Sequence, residues 1–531
     1  MTRQHYELGL GITEEHVDLA NAVADLAESV LSHDAVRSIV DAKAPEKFPP
    51  FWKALVDYEL LGLHIAEDLG GSGGGLTTLA VALEALGRHA IPGAFPPTVH
   101  ASALIQAAGG TGRGLLAGPL AGLVDGTSIA AVAPETTSLP VAEAAGDSLT
   151  VSGTWDGIAA GDVADLFVLP VRLDGTVRWV VALAEELTVA TQDSADVLRG
   201  AARVTAAGLT VPADRVLDGL TAGRARSITS VVLGAEATGV IAWCVAAASE
   251  YAKIRVQFGR PIGQFQGIKH KCAQMGIALE QARAAVWDAA TAIDKGDDTA
   301  DLAGDVAAVV VPDLAVKAAQ DCIQAHGGIG FTWEHDAHLY YRRALALRAA
   351  LGTREARALR VAESALAGHV RALDIELPPE AEEIRGPVRA ELEVIEAIGD
   401  EDERLAALGD GGWVLPYFPR PYGRSAGPLE QIVIAQELKA AGIEVPSLLM
   451  GIWALASIVG YGSDELKEEF GLPTLRGDVM WCQLFSEPGS GSDLASLQTK
   501  ATKVEGGWRI NGQKIWTSMA QFSDWGILIA R

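Results

Sequence analysis

The sequence predicts an α+β protein, mainly helical. It reads as a helical domain, a small β-barrel-like domain and a four-helix bundle, followed by a second helical domain and part of a second β domain. Three observations predict this order. Apolar residues recur at helical spacing near the start and again over 224–370. Short apolar runs punctuated by Gly, Asp and Pro fill 118–216. After a proline-rich stretch near residue 380 the whole pattern begins again.

The helical domain is expected over 1–116. Glu14 to Leu31 places Val17, Leu19, Ala20, Val23 and Leu26 on one face behind a Thr13 N-cap, and Phe51 to Leu63 is a second helix. The glycine run Gly70 to Gly75 reads as a connector into a helix over Leu76–Leu86, because no Lys-Ser/Thr pair follows to make it a phosphate loop. Over 117–222, antiparallel strands are expected at Ser128–Val132, Ser148–Ser152, Leu166–Val171, Val177–Leu183 and Ala202–Leu209. Over 223–372, four long helices (Ile228–Val256, Ile268–Lys295, Leu302–Ala325 and Glu334–Ala367) with short breaks predict an antiparallel bundle.

A linker is expected over 373–387, then a helical domain over 388–477 with helices at Val388–Ile398, Glu403–Leu408 and Pro428–Ala441, then a partial β domain over 478–531. The restart is an internal repeat. Leu76-Thr-Thr-Leu-Ala-Val-Ala-Leu-Glu parallels Leu429-Glu-Gln-Ile-Val-Ile-Ala-Gln-Glu, and Val151-Ser-Gly-Thr-Trp-Asp-Gly-Ile-Ala parallels Ile510-Asn-Gly-Gln-Lys-Ile-Trp-Thr-Ser.

The charge of -26 is spread along the chain, which argues against nucleic acid and anionic membranes as partners while leaving room for a local basic pocket. The four cysteines show no CxxC pair, so no metal site or disulfide framework is expected. Met1 to Gly11 reads as no signal peptide. Ile228 to Ala248, interrupted by Glu236, reads as a buried helix rather than a membrane span, and a cytoplasmic protein is expected.

Two segments in the second copy can carry chemistry. Leu484-Phe-Ser-Glu-Pro-Gly-Ser-Gly-Ser-Asp493 offers backbone N–H groups and hydroxyls to an anion, although the same dipeptides also make surface turns. Asn511-Gly-Gln-Lys-Ile-Trp-Thr-Ser518 sets a Trp beside hydroxyls, which suits an aromatic ligand with a polar edge, or simply a hairpin with a packed Trp. In the first copy, Arg255 of Arg255-Val-Gln-Phe-Gly-Arg-Pro-Ile-Gly-Gln-Phe-Gln266 can bind phosphate bidentately or cap a helix. Gln324-Ala-His-Gly-Gly-Ile-Gly-Phe331 can let backbone approach a ligand or stop a helix.

Together these segments resemble the acyl-CoA dehydrogenase family, in a tandem-fused form similar to actinobacterial steroid side-chain enzymes. The resemblance implies an acyl-CoA dehydrogenase-like fold, an FAD cofactor and α,β-dehydrogenation of an acyl-CoA thioester. It also implies electron transfer to an electron-transfer flavoprotein-like acceptor, and a homo-oligomer or a heteromer with related subunits. By position, Leu484, Phe485 and Ser486 border the flavin ring. Gly491 and Ser492 approach the pyrophosphate or the acyl-CoA, with Ser492 also a substrate contact. Trp516 shields the ring, and Thr517 and Ser518 lie near its redox edge. Arg255, Phe258, Gln266, Gln324, Gly327 and Gly328 form the nucleotide-end clamp that the family presents to a neighbouring subunit's cofactor.

The first copy has Gly157, Ile158 and Ala159 where the second has Trp516, Thr517 and Ser518, and only Ala133-Pro-Glu-Thr-Thr in place of the Gly/Ser loop. Its ring site is expected to be lost, so one FAD would be shared between copies. The two family positions for the catalytic Glu are occupied by Leu351 and Thr229. The base is therefore expected in a second bundle beyond residue 531. The alternatives are a non-catalytic partner subunit or scaffold, and an acyl-CoA oxidase.

Overall fold

The computed structural model describes residues 12–42, 46–371 and 377–531. The chain divides into two units, Met1–Leu373 and Asp374–Arg531. The N-terminal residues 1–11 and positions 373–376 of the expected linker lie outside the described residues.

The first unit opens with helices α1 (Glu14–Val30), α2 (His33–Asp41), α3 (Trp52–Asp57), α4 (Gly75–Arg88), α5 (Phe95–Ala107) and α6 (Gly110–Ala117). Thr13 is the N-cap of α1, and its backbone N–H donates to His16 Nδ1 at 3.2 Å. The helix expected over 51–63 breaks instead. Glu59 takes a left-handed φ of 56°, and Leu60–Gly62 continue as a 3₁₀ turn. The glycine run is a packed turn. A Cβ on Gly71 would lie 2.3 Å from the Ile65 carbonyl, and the Gly73 and Gly74 N–H groups donate to Ile65 and Leu63.

Seven strands follow: β1 (Ala130–Val132), β2 (Val141–Ala145), β3 (Ser148–Ala159), β4 (Leu166–Leu173), β5 (Thr176–Leu183), β6 (Thr188–Gln192) and β7 (Ala201–Pro212). They form one sheet in the order β1-β4-β2-β3-β7-β6, with β5 on β4. The expected all-antiparallel pairing fails at β1, which runs parallel to β4, and at the β2–β4 bridge. Val151, Trp155, Ile158, Phe167, Leu169, Val180 and Val204 make the core of this sheet, the inward face of a two-residue alternation.

The bundle comprises α7 (Ala222–Ile254), a small hairpin of β8 (Val256–Gln257) and β9 (Arg260–Pro261), α8 (Gln266–Asp294), α9 (Ala300–His326), α10 (Ala337–Ala350) and α11 (Arg354–Leu366). The helix expected over 334–367 is thus two helices. They are split at Gly352, whose φ of 78° ends one helix before Thr353 caps the next. Helix α7 is long and apolar enough to cross a membrane, but 78% of that window is buried inside the unit, against α4, α8 and α9.

The second unit contains α12 (Glu380–Glu396), α13 (Glu401–Asp410), α14 (Pro428–Ala440), α15 (Gly451–Tyr461), α16 (Asp464–Arg476), β10 (Trp481–Leu484), β11 (Lys500–Val504), β12 (Gly507–Asn511) and β13 (Trp525–Leu528). Residues 380–387, expected as linker, are the first half of α12. Glu380, Glu382 and Glu383 in its first turn complement the helix dipole, and Ala381, Val388, Leu392 and Ile395 supply a buried face. The repeat is visible as pairing. Parallel β10–β13 matches β1–β4 from its first paired residues, Trp481 with Trp525 and Ala130 with Leu166. Antiparallel β11–β12 matches β2–β3, with Val504 opposite Gly507 as Ala145 is opposite Ser148.

Candidate functional site

In the second unit, β10 ends at Leu484 and runs into Phe485, Ser486 and Glu487. The backbone then turns back on itself, with reciprocal Glu487–Ser490 hydrogen bonds of 2.8 and 3.1 Å. Pro488, Gly489, Gly491 and Ser492 are exposed at this turn, and a Cβ on either glycine would meet nothing. The Trp516 segment lies beside it, because the Ile515 N–H donates to the Ser486 carbonyl at 2.9 Å. Trp516 itself is 79% exposed and left-handed, φ 54°. Thr517 is half-buried and Ser518 exposed. Leu484, Phe485, Ser486, Gly491, Ser492 and Trp516–Ser518 therefore belong to one surface. A bare aromatic face beside open glycine backbone and free hydroxyls is what a planar cofactor with a phosphate tail requires, so the residues present fit a flavin.

In the first unit, Arg255 follows the last residue of α7, and its N–H closes that helix on the Tyr251 carbonyl at 2.9 Å. Among the described residues no hydrogen bond or ion pair engages its guanidinium. Phe258 is the tip of the β8–β9 hairpin, left-handed (φ 51°) and 91% exposed. Gln266 is the first residue of α8 and is exposed. Gln324 lies in the last turn of α9, which Gly327 terminates at φ 62°. The two chain segments meet where Tyr251 stacks on His326, ring centroids 4.6 Å apart. Beside them a groove of about 380 Å³ is lined by Ser249, Lys253, Gln264 and Lys269, a basic spot in an acidic chain. A larger hollow of about 590 Å³, lined by His64, Glu67, Asp68 and Gln106, touches none of these residues.

The counterparts of the ring segment in the first unit offer neither an aromatic ring nor a hydroxyl, and the middle one is buried. Gly157 donates its N–H to the Gln192 side chain at 2.9 Å, Ile158 is buried in the sheet core, and Ala159 pairs with Ala201. The local backbone is nonetheless shared. Gly157 and Ala160 are left-handed, as are Trp516 and Met519 at the matching places.

Neither base position is acidic in its surroundings. Thr229 Oγ1 donates to the Ala225 carbonyl at 2.8 Å and lies 2.9 Å from His100 Nε2. Burial lowers His100 to about 3, so it is neutral. Leu351 closes α10 and is half-buried. Glu236 is fully buried and bonded to Arg199 at 2.8 Å and to Arg343, while Arg343 also holds Asp196. Burial pushes the Glu236 carboxyl up, but Arg199 and Arg343 outweigh it and hold it below its ordinary value. It is a structural ion, and Glu355 is exposed at the start of α11.

Three residues that support the second unit's candidate surface carry no signal in the sequence. Glu487 and Lys514 are bonded to each other at 2.8 Å, and Trp453 on α15 stacks toward Phe485 at 6.3 Å. The Glu and Lys stand in the two quoted motifs, but nothing in their spacing pairs them. Helix α15 has almost no polar face to betray a helical period.

Comparison with known proteins follows the same division. Residues 223–366 match the model for the acyl-CoA dehydrogenase C-terminal domain, 482–531 the middle domain, and both 13–112 and 370–478 the N-terminal domain. The acyl-CoA dehydrogenase FadE34 of Mycobacterium tuberculosis is 40% identical over 488 residues, 91% of this chain and 65% of that protein, so the chain spans just under two thirds of that relative. Among solved structures, the ChsE4-ChsE5 complex from Mycobacterium tuberculosis aligns with a TM-score of 0.62 at 25% identity, covering 68% of this chain and 99% of that one. The Tcur3481-Tcur3483 steroid ACAD aligns with a TM-score of 0.61 at 25% identity, covering 67% and 98%.

Proposed function

The chain belongs to the acyl-CoA dehydrogenase family, and from that premise we propose that it serves FAD-dependent α,β-dehydrogenation of a bulky acyl-CoA thioester such as a steroid side chain. One observation carries the reading. The second copy presents an exposed Trp516 beside Thr517 and Ser518, where the first has Gly157, Ile158 and Ala159 with neither ring nor hydroxyl, while the clamp residues Arg255, Phe258, Gln266 and Gln324 are exposed in the first. Here the clamp half lies in the first copy and the ring half in the second.

In this reading Trp516 covers one face of the flavin, and Thr517 and Ser518 hydrogen-bond its redox edge. The N–H groups around Gly491 and Ser492 receive the pyrophosphate or the thioester's CoA. Arg255, Gln266, Gln324 and the Gly327-Gly328 backbone would grip the nucleotide end of a shared cofactor, with Phe258 against its adenine. The bound FAD supplies the acceptor for the hydride that leaves the β carbon. A carboxylate must take the α proton. Since Thr229 and Leu351 cannot, the base comes from a helix bundle outside these residues. The bulky substrate is supported by the Tcur3481-Tcur3483 steroid ACAD and the two-component partner by the ChsE4-ChsE5 complex. An electron-transfer flavoprotein-like acceptor and a cytoplasmic location complete the proposal, the latter fitting four free thiols.

The test is a visible spectrum with flavin counted per chain, followed by anaerobic mixing with acyl-CoA. Bound FAD that bleaches only when a second bundle is supplied supports the proposal. Bleaching by residues 1–531 alone would show that the base has been misassigned, and a colourless protein that takes up no FAD favours a scaffold subunit. Oxygen uptake without another acceptor would identify an oxidase.

A further inference from the structure

We propose that Glu487 and Lys514 are a positioning pair that fixes the Trp516 segment against the Gly/Ser turn and thereby sets where a ring can lie. Its final step rests on the flavin reading above, while the clamp itself does not.

The Lys514 ammonium donates to the Phe485 carbonyl and to Glu487 Oε1, each at 2.8 Å. The Glu487 carboxylate in turn accepts from the N–H groups of Thr499 at 2.9 Å and Gln498 at 2.6 Å. Three stretches far apart in sequence, 485–487, 498–499 and 514, are thus tied at one point. The side chains are only 7% and 6% exposed, so this is not a screened surface bridge. The hydrogen bond from Lys514, followed by those from Thr499 and Gln498, also holds the Glu487 carboxyl down to about 2, so the carboxylate stays charged over the working pH range. Two residues on from the lysine, Trp516 holds a left-handed backbone that a non-glycine residue keeps only where its surroundings over-determine it.

The first copy is an internal control. Trp155 stands in the place of Lys514, buried in the sheet with its indole donating to the Pro170 carbonyl at 2.8 Å. In the Ala133–Thr137 segment that replaces the Gly/Ser loop, Thr136 bonds to the nearby Ser138 carbonyl at 3.0 Å, and among the described residues no ion pair joins this segment to Trp155. The copy that lost the ring residues also lost the ion pair, and folds without it. A buried ion pair is costly to desolvate and is often no more stable than an apolar replacement. Its retention in the second copy is therefore explained by placement of the Trp516 segment.

Lys514→Met, Glu487→Gln and the double variant, each in the full chain, test this with two readouts. Hydrogen exchange should show the Ile515 amide exchanging about tenfold faster in Lys514→Met while α12–α14 amides are unchanged. FAD titration, followed by quenching of tryptophan fluorescence, should show affinity falling about tenfold or more in the single variants. The double variant leaves no unpaired buried charge, so its thermal stability should recover toward wild type while FAD affinity does not. Wild-type exchange at Ile515 in Lys514→Met overturns the proposal, as does FAD affinity that recovers together with stability in the double variant. A wild-type chain that takes up no FAD would instead sink the flavin reading, and the Ile515 exchange would still decide the clamp.

Discussion

Glu236 shows how residue type and residue role part company. It is an acid on the first bundle helix, near the place where the family's chemistry needs a base, yet it spends its charge on Arg199 and Arg343. Removing one partner from such a buried network strands the others, so Glu236→Ala should cost about 3–5 kcal/mol of unfolding free energy, measured by urea titration. His100, where it meets Thr229, gives a pH-dependent counterpart. Burial holds both His100 and His64 at about 3, against an ordinary value of 6.5. Both are neutral in the folded unit, but each takes up a proton on unfolding once pH falls below about 6.5, so folding stability should decline from there toward pH 3. Each contributes about 1.4 kcal/mol per pH unit in that window. His100→Gln should remove its share of the slope, and an unchanged slope in chemical denaturation across that range would refute the assignment.

Elements were legible where periodicity and punctuation agreed, and illegible where one of them was missing. Helices α1, α8 and α9 follow their apolar spacing closely. The short strands Val141–Ala145 and Thr188–Gln192 escaped notice because alanine and threonine runs carry no two-residue alternation of apolar side chains. Helix α16 hides behind Gly471 and Pro473, residues that ordinarily argue against a helix interior. The site followed the same rule. Arg255, Gln324 and Trp516 stand in recognisable strings, whereas the Glu487–Lys514 bond exists only through folding. The end of α9 offers a test of structure against function at neighbouring positions. Gly327 needs its left-handed φ, while Gly328 sits at φ −56°, and a Cβ on either would meet nothing among the described residues. Gly327→Ala should lose about 1–2 kcal/mol in thermal unfolding. Gly328→Ala should leave stability unchanged and weaken FAD binding, and equal effects of the two on both measurements would mean that neither glycine faces a ligand.

At the scale of the molecule, the repeat makes one unit a reference for the other. In the first unit β3 is flanked on both sides, by β2 and by β7, and its Leu149 and Val151 are buried. In the second unit β12 pairs with β11 alone among the described strands, and the matching residues Trp508 and Ile510 are 62% and 49% exposed. Likewise Leu166 of β4 is covered while Trp525 of β13 is half bare. An unpaired edge leaves backbone N–H and C=O groups open to solvent and to strand pairing, and the tryptophans beside it are exposed. The amides of β12 and β13 should therefore exchange faster than those of β3 and β4, with the Trp508 and Ile510 positions well ahead of Leu149 and Val151. A polypeptide carrying the equivalents of β5–β7 and the bundle should slow the exchange of β12 and β13 and leave β3 and β4 as they were. If β12 is already as protected as β3 in this chain, the edge is filled by some other means, and a base delivered on a docked or continuing bundle would need a different point of entry.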